Sequence, residues 1–68
     1  MINSHELEIQ LVRKQKSKKA LAKVLCISEM ALSNEMKGKS EFKASEISRT
    51  ATFLNLTRDE RDLIFFAY

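Results

Sequence analysis

The segment 28–37 gathers polar side chains that form hydrogen bonds in different ways. The hydroxyl of Ser33 can donate or accept, the amide of Asn34 does both at once, and the carboxylate of Glu29 only accepts. An amide pairs with an adenine edge, a carboxylate accepts from the cytosine amino group, and an apolar group such as that of Met30 contacts the thymine methyl. Arginine, the commonest guanine reader, is absent from the segment. The candidate base-reading residues are Ser28, Glu29, Met30, Ser33, Asn34 and Lys37.

Several of these residues also suit plainer roles. Met30 fits a core position as well as an exposed one, and Asn34 could hydrogen-bond only to solvent. Glu29 beside a phosphate backbone weakens binding, so it could simply favour the positive end of its own helix. Lys37 could bind guanine or phosphate. These alternatives stay open on the sequence alone.

Positive charge is concentrated shortly before this segment in the sequence. Residues 13–23 contain six lysine and arginine residues and no acid, whereas the whole chain carries a net charge of only +3. A basic stretch beside base-reading side chains is the electrostatic footprint of phosphate binding. The alternative is a solvated lysine face that serves solubility. The position of the basic stretch beside the base-reading segment favours nucleic-acid binding. The candidate phosphate-binding residues are Ser17, Lys18, Lys19, Lys39 and Lys43.

Catalytic and metal-binding chemistry is poorly supported. His5 and Cys26 are the only histidine and cysteine, and neither has companions at the spacing of zinc ligands. The sequence has no glycine-rich phosphate loop and no nucleophile elbow. Spacing alone leaves a Cys26–His5 nucleophilic pair open, although a small buried thiol is the favoured interpretation of Cys26. We expect no enzyme, no metal and no cofactor.

Length and composition favour one small helical domain covering 1–68. The chain has 68 residues, one glycine and no proline, so long loops and hairpin turns are not expected. No run of about 18 apolar residues is present, which predicts no membrane span, and the first residues do not resemble a secretory signal. A single cysteine excludes an internal disulfide and fits the reducing cytoplasm.

The hydrophobic pattern predicts an all-α fold of five helices over about 4–14, 18–25, 28–37 and 44–54, with the fifth starting at 57–60. Asn3 or Ser4, Ser17 and Ser28 are capping residues for the first three helices, and the T-x-x-E box at 57–60 starts the last. Lys43 takes the cap position of the fourth if Phe42 and Ile47 form a hydrophobic staple. The expected inward residues are Leu7, Leu11, Leu21, Ala22, Leu25, Leu32, Met36, Ile47, Ala51, Leu54, Leu63, Phe66 and Ala67.

The second and third helices are too close in sequence for anything but a tight turn, which predicts a helix-turn-helix. In that unit the third helix enters the DNA major groove by its N-terminal end. The last helix carries more apolar residues than one buried face needs, which favours self-association. The alternative is that the last helix buries all of them. The predicted dimer residues are Phe53, Ile64, Phe65 and Tyr68.

These residues resemble a known family. The segment 17–38, the stretch LAKVLCIS with the LS at 32–33, KGKS at 37–40, FLNLT at 53–57 and ERDLIFF at 60–66 are similar to phage Cro/repressor-type (XRE-like) helix-turn-helix proteins. The similarity covers about 7–68 and is greatest to short Cro-like proteins of phages from Gram-positive bacteria. It implies a compact five-helix, lambda-repressor-like domain in the bacterial cytoplasm that binds operator DNA as a homodimer.

The resemblance also implies particular roles and particular departures. The family's groove-reading positions fall on Lys18, Ser28, Glu29, Met30, Ser33, Asn34 and Lys37. Lys18 stands where the family often has glutamine, which shifts that position toward phosphate attraction. Cys26 and Gln15 stand where the family usually has glycine. A left-handed conformation is unfavourable by about 1 kcal/mol for a non-glycine residue, so the turn at Cys26 is expected to be adjusted.

The expected function is a sequence-specific, DNA-binding transcription regulator of Cro-like repressor type. Two other functions remain open. The first is an antirepressor, a repressor-like module that binds another phage regulator, because Glu29 and the missing arginine suit DNA poorly. The second is a nonspecific nucleic-acid binder driven by charge.

Overall fold

Each of the helices begins at a residue whose side chain or backbone completes the first turn. The computed structural model describes residues 2–66, which form α1 (Ser4–Arg13), α2 (Lys18–Val24), α3 (Glu29–Met36), α4 (Ala44–Phe53) and α5 (Arg58–Phe65), with no strand among them. Asn3 caps α1 by accepting from the Glu6 amide at 3.1 Å. The hydroxyls of Ser17 and Ser28 accept from amides three residues on, each at 3.0 Å. The predicted capping residues are therefore confirmed, and the predicted bounds agree to within a few residues.

The capping box before α5 is complete, whereas that before α4 has only one of its two hydrogen bonds. The Thr57 amide donates to Glu60 at 2.9 Å, and the Glu60 amide donates back to the Thr57 hydroxyl at 3.1 Å. Before α4, the Lys43 amide donates to Oε1 of Glu46 at 2.9 Å. A lysine ammonium cannot accept the reciprocal bond. The Glu46 carboxylate therefore supplies the side-chain hydrogen bond of this cap.

Each of the first four helices ends in a left-handed residue, although the chain has a single glycine. The φ angles are 57° at Gln15, 59° at Cys26, 84° at Gly38 and 51° at Asn55. The residue that follows each left-handed residue donates its backbone amide to the carbonyl of the residue five positions before it. For example, the Ile27 amide donates to the Ala22 carbonyl at 3.0 Å. This is the Schellman pattern, which satisfies carbonyls at a helix end. The turn expected to be adjusted at Cys26 instead keeps the left-handed conformation.

The core combines leucines from several helices. Helix α2 contacts both α3 and α4, and α1 contacts α5. The Asn3 amide donates to the Ile64 carbonyl at 2.7 Å, which holds the start of α1 against the end of α5. The predicted core positions of the first three helices are confirmed as buried, namely Leu7, Leu11, Leu21, Ala22, Leu25, Leu32 and Met36.

The predicted orientation of α5 was wrong. Ile64 and Phe65 are 0% and 6% exposed, whereas Leu63 and Phe66, expected inside, are 48% and 46% exposed. Four consecutive apolar residues cover a full helical turn, so the periodicity could not fix which side faces inward. A long-range contact fixes it: the ring of Phe65 packs edge-on against Phe42 with centroids 5.2 Å apart. The predictions for Ala67 and Tyr68 lie outside the described residues.

The buried side of α4 is also displaced by one position from the expected one. Leu54 is buried as predicted, but Ile47 and Ala51 are only half-buried. The residues one position before them, Glu46 and Thr50, are 6% and 0% exposed. The hydroxyl oxygen of Thr50 has no hydrogen-bond partner among the described residues. Polar residues on an inward face escape a prediction based on hydrophobicity alone.

Replacing Cys26 by glycine should stabilise the fold. Cys26 is exposed and left-handed, so the change relieves backbone strain without removing a core contact. Relief of about 1 kcal/mol is partly offset by the greater freedom of glycine in the unfolded chain. We expect a net gain of about 0.5 kcal/mol, measured as a higher urea midpoint.

The matched control is Cys26→Ala, which keeps a Cβ and should leave the midpoint unchanged. Gly38→Ala is the converse variant. A Cβ at Gly38 has no heavy atom within 4 Å, so no steric clash contributes, and the expected net loss is about 0.5 kcal/mol after the same unfolded-chain offset. A midpoint for Cys26→Gly at or below that of Cys26→Ala would contradict this explanation of the turn.

Candidate nucleic-acid interface

Helix α3 buries one side and leaves the other open. Leu32 and Met36 are 0% and 7% exposed, and they lie one turn apart on the helix. On the remaining surface Glu29 and Met30 are exposed, and Met30 is 75% exposed. Of the two positions open to Met30 on the sequence, the structure therefore selects the exposed one, while its role in base reading stays a prediction.

The other candidate base-reading residues belong to the same helix or its caps. Ser33 and Asn34 are half-buried, whereas Ser28 and Lys37 are exposed at the two ends of α3. The Ser28 oxygen already accepts from the Ala31 amide, but its hydroxyl proton is free to be donated. The backbone carbonyl of Asn34 accepts from the backbone amide of Lys39 at 2.9 Å, which fixes the end of the helix. Donors and acceptors thus lie along one helix, as base reading requires.

The phosphate candidates of α2 differ in how free they are. Ser17 uses its oxygen to cap the helix, and its side chain is exposed. Nζ of Lys18 lies 2.6 Å from Oε1 of Glu8 on α1. This hydrogen bond and the Lys18 charge lower the pKa of Glu8. Lys19 is exposed and takes part in no ion pair within residues 2–66. Lys19 can therefore bind a phosphate without first breaking an ion pair, whereas Lys18 must leave Glu8.

The phosphate candidates after α3 also differ. Lys39 is exposed, and no ion pair of the described part of the chain includes it. Lys43 is exposed at the start of α4, and its positive charge acts on the carboxyl group of Glu35. Lys43 therefore has an internal carboxyl group nearby, and Lys39 does not share that constraint.

Part of the basic stretch 13–23 is engaged within the protein. Arg13 lies 4.0 Å from Oε2 of Glu60, and the same oxygen accepts from the Gln10 amide at 3.0 Å. The backbone amide of Thr57 is the main reason that the pKa of Glu60 is lowered. The ammonium of Lys16 lies 5.2 Å from the ring centre of Phe53, a cation–π distance. The stretch therefore helps to assemble the fold as well as offering charge to a ligand.

The predicted dimer residues do not form one surface. Ile64 and Phe65 are buried, and Phe53 is half-buried beneath Lys16. Their assignment to an interface is therefore corrected for Ile64 and Phe65, because the core takes both side chains. Tyr68 lies outside the described residues. The exposed apolar residues of this region are instead Leu63 of α5 and Phe66, the residue that follows the helix.

The structure also shows where Cys26 lies. The buried thiol expected at Cys26 is wrong: the residue is exposed, because it occupies the left-handed turn and not a buried helix position. Residues 2–66 bring no three histidine, cysteine, aspartate or glutamate side chains together as a metal site. No helix in the same range has the length and hydrophobicity to cross a membrane.

Sequence reasoning missed a pair of buried carboxyl groups. Glu35 on α3 is 8% exposed and Glu46 on α4 is 6% exposed. Burial, then the nearby charge of Glu46 and a hydrogen bond to its carboxyl group, raise the pKa of Glu35, and Lys43 opposes them. The signal was present, since Glu35 follows Leu32 by three residues and precedes Met36 on the inward side.

Comparison with known proteins gives no independent guide to function. The chain matches no known protein family, no curated protein and no solved structure. The open side of α3 and the lysines around it must therefore be judged on their own chemistry.

Proposed function

We propose that the protein is a sequence-specific DNA-binding regulator of transcription, a Cro-like repressor in which α2 and α3 act as a helix-turn-helix. One observation carries the proposal. The burial of Leu32 and Met36 leaves Met30, Ser33 and Asn34 on the accessible part of α3, with cations at both ends of the α2–α3 unit. A helix held in this way can enter the major groove with donors and acceptors directed at base edges.

Each accessible side chain of α3 has a definite partner in this mechanism. The amide of Asn34 pairs with adenine N6 and N7, and the exposed Met30 contacts a thymine methyl group. Glu29 accepts from a cytosine amino group. The hydroxyl proton of Ser28 and the ammonium of Lys37 serve a base or a phosphate. Base identity is read mainly by Asn34, Met30 and Glu29.

Phosphate contacts position this helix on the duplex. Lys19 before the turn and Lys39 after α3 are exposed and lie outside the ion pairs of the described residues. They attract any phosphate backbone and so contribute affinity without sequence information. Lys18, Lys43 and Ser17 add to this set when DNA competes with their internal partners.

A homodimer completes the proposal, because two copies read two half-sites. The exposed apolar residues Leu63 and Phe66 offer a surface for the second copy. Beside Phe66 lies a shallow groove of about 650 Å³, bordered by Ile47, Ala51 and Arg61. An exposed aromatic side chain next to a groove with both apolar and polar lining residues is typical of a protein–protein contact.

The direct test is a gel shift of the pure protein on DNA flanking its own gene, with random competitor DNA and varied salt. Binding that survives competitor supports the proposal, and equal affinity for all DNA indicates a nonspecific binder.

An antirepressor is the second candidate, favoured by the acidic Glu29 beside the 75% exposed Met30 at the start of α3. Absence of DNA binding together with capture of a purified phage regulator would support the antirepressor.

Asn34→Ala should relax base preference. Loss of a bidentate adenine contact removes about 1–3 kcal/mol of discrimination at one base pair. The expected result in the competitor gel shift is weaker binding to the preferred site with unchanged binding to random DNA. Equal losses on both DNAs would show that Asn34 does not read a base.

Lys19→Gln and Lys39→Gln should weaken binding to every duplex. Each removes one phosphate contact, so the slope of log affinity against log salt should become shallower by about 0.9 for each. Arg58→Gln is the matched control, because it removes one exposed positive charge from the first turn of α5. An equal change in slope for Arg58→Gln would indicate an effect of net charge without a defined contact.

Leu63→Ala combined with Phe66→Ala should convert a dimer to a monomer and weaken operator binding while leaving the protein helical. Both side chains are about half exposed, so truncation spares most of the core. The readouts are sedimentation at tens of micromolar and the gel shift. Val12→Ala is the control, since Val12 is 78% exposed on α1. A monomeric parent protein at that concentration would contradict the dimer.

A further inference from the structure

Two buried carboxyl groups lie within hydrogen-bonding reach of each other where α3 ends and α4 begins. Glu35 lies in the last turn of α3 and Glu46 in the first turn of α4, and both are more than nine-tenths buried. Oε1 of Glu46 accepts from the Lys43 amide, whereas Oε1 of Glu35 has no hydrogen-bond partner in the described residues. Buried polar atoms are rarely left without partners, so this one marks an unusual arrangement.

Two ionised carboxylates at this depth would repel each other, and a shared proton removes the repulsion. The charged groups near Glu35 are Glu46 and Lys43. Glu35 also lines a cavity of about 410 Å³, and Glu41 lines the same cavity. Burial and Glu46 favour the protonated form of Glu35, and Lys43 alone opposes them. The balance therefore favours one proton held between the two carboxyl groups.

We propose that Glu35 and Glu46 form a proton-dependent latch that holds the end of α3 against the start of α4. When the proton is present, one carboxyl group donates to the other and the segment 37–43 is held closed. When it is lost, two buried negative charges separate, and the start of α4 moves away from α3. The segment carries Lys37, Lys39 and Lys43, so opening displaces cations of the proposed DNA surface. This last consequence rests on the proposed function.

The sign of the pH effect follows from the direction of the shift. The pKa of Glu35 is raised above its ordinary value of 4.5, so the folded protein binds more protons than the unfolded chain above that pH. The stabilisation is complete below 4.5 and is lost as pH rises through the folded-state value. Glu8 and Glu60 have lowered pKa values and act in the opposite sense, losing stability as pH falls. Stability should therefore be greatest in mildly acidic solution.

The first experiment measures thermal unfolding without DNA between about pH 5 and about pH 8. The parent protein should lose about 5 °C in melting temperature over this range, whereas Glu35→Gln should be nearly flat. Glu41→Gln is the matched control, because it removes the same charge from an exposed side chain lining the same cavity. His5 is present in the parent and in both variants, so it cannot cause a difference between their pH profiles. A parent slope retained in Glu35→Gln would overturn the proposal.

A second variant and a direct titration protect the test against a folding defect. Glu46→Gln keeps an acceptor for the Lys43 amide and should also flatten the pH profile. In the parent protein, the carboxyl carbon signal of Glu35 should titrate above 4.5, with the amides of 37–43 shifting at the same midpoint. A midpoint at or below 4.5, or immobile amides, would overturn the latch.

DNA-binding measurements at different pH values test the latch and the proposed function separately. For a fixed duplex, parent affinity should fall between about pH 5 and about pH 8 more steeply than that of Glu35→Gln, by about tenfold. Glu41→Gln should follow the parent. Equal pH dependence in all three would overturn the link to DNA even if unfolding shows the latch. If none of them binds DNA, the proposed function fails, and the unfolding profiles still decide the latch.

Discussion

The burial of Leu32 and Met36 is the contact on which the position of α3 depends. They lie four residues apart, so they share one side of the helix and face the core together. Once they are buried, the helical period leaves Met30 and Asn34 away from the centre of the core. Ser28 and Gly38 mark the two ends of this segment through a cap and a left-handed turn. The accessible side of α3 is thus a consequence of its inward side.

Polar contacts between elements then fix how charge is distributed. The Lys18–Glu8 pair joins α2 to α1, and Glu60 on α5 meets both Gln10 and Arg13 of α1. Exposed ion pairs of this kind contribute little stability and can exchange partners. Their effect is to leave some lysines of the basic stretch internally paired and others available. Cations that share a sequence segment therefore differ in what they can bind.

Local signals predicted the helix starts and the cores of the first three helices, because capping residues and a clear apolar period act over one or two turns. The prediction failed for α5, where Leu63, Ile64, Phe65 and Phe66 are all apolar and only packing against Phe42 selects the inward side. It also failed for Glu46, a charged residue on the inward side of α4 that a hydrophobic pattern does not select. The candidate site was predicted as a set on α3, but the pairing of Lys18 with Glu8 requires the relative placement of two helices.

The proposed role of α3 is most directly tested by the amide spectrum of labelled protein during titration with a duplex from the flanks of its gene. We predict that the largest shifts fall within 17–19 and 28–39 and persist when random duplex is added in excess. Shifts confined to α1 and α5, or no shifts at all, would contradict DNA recognition by this helix.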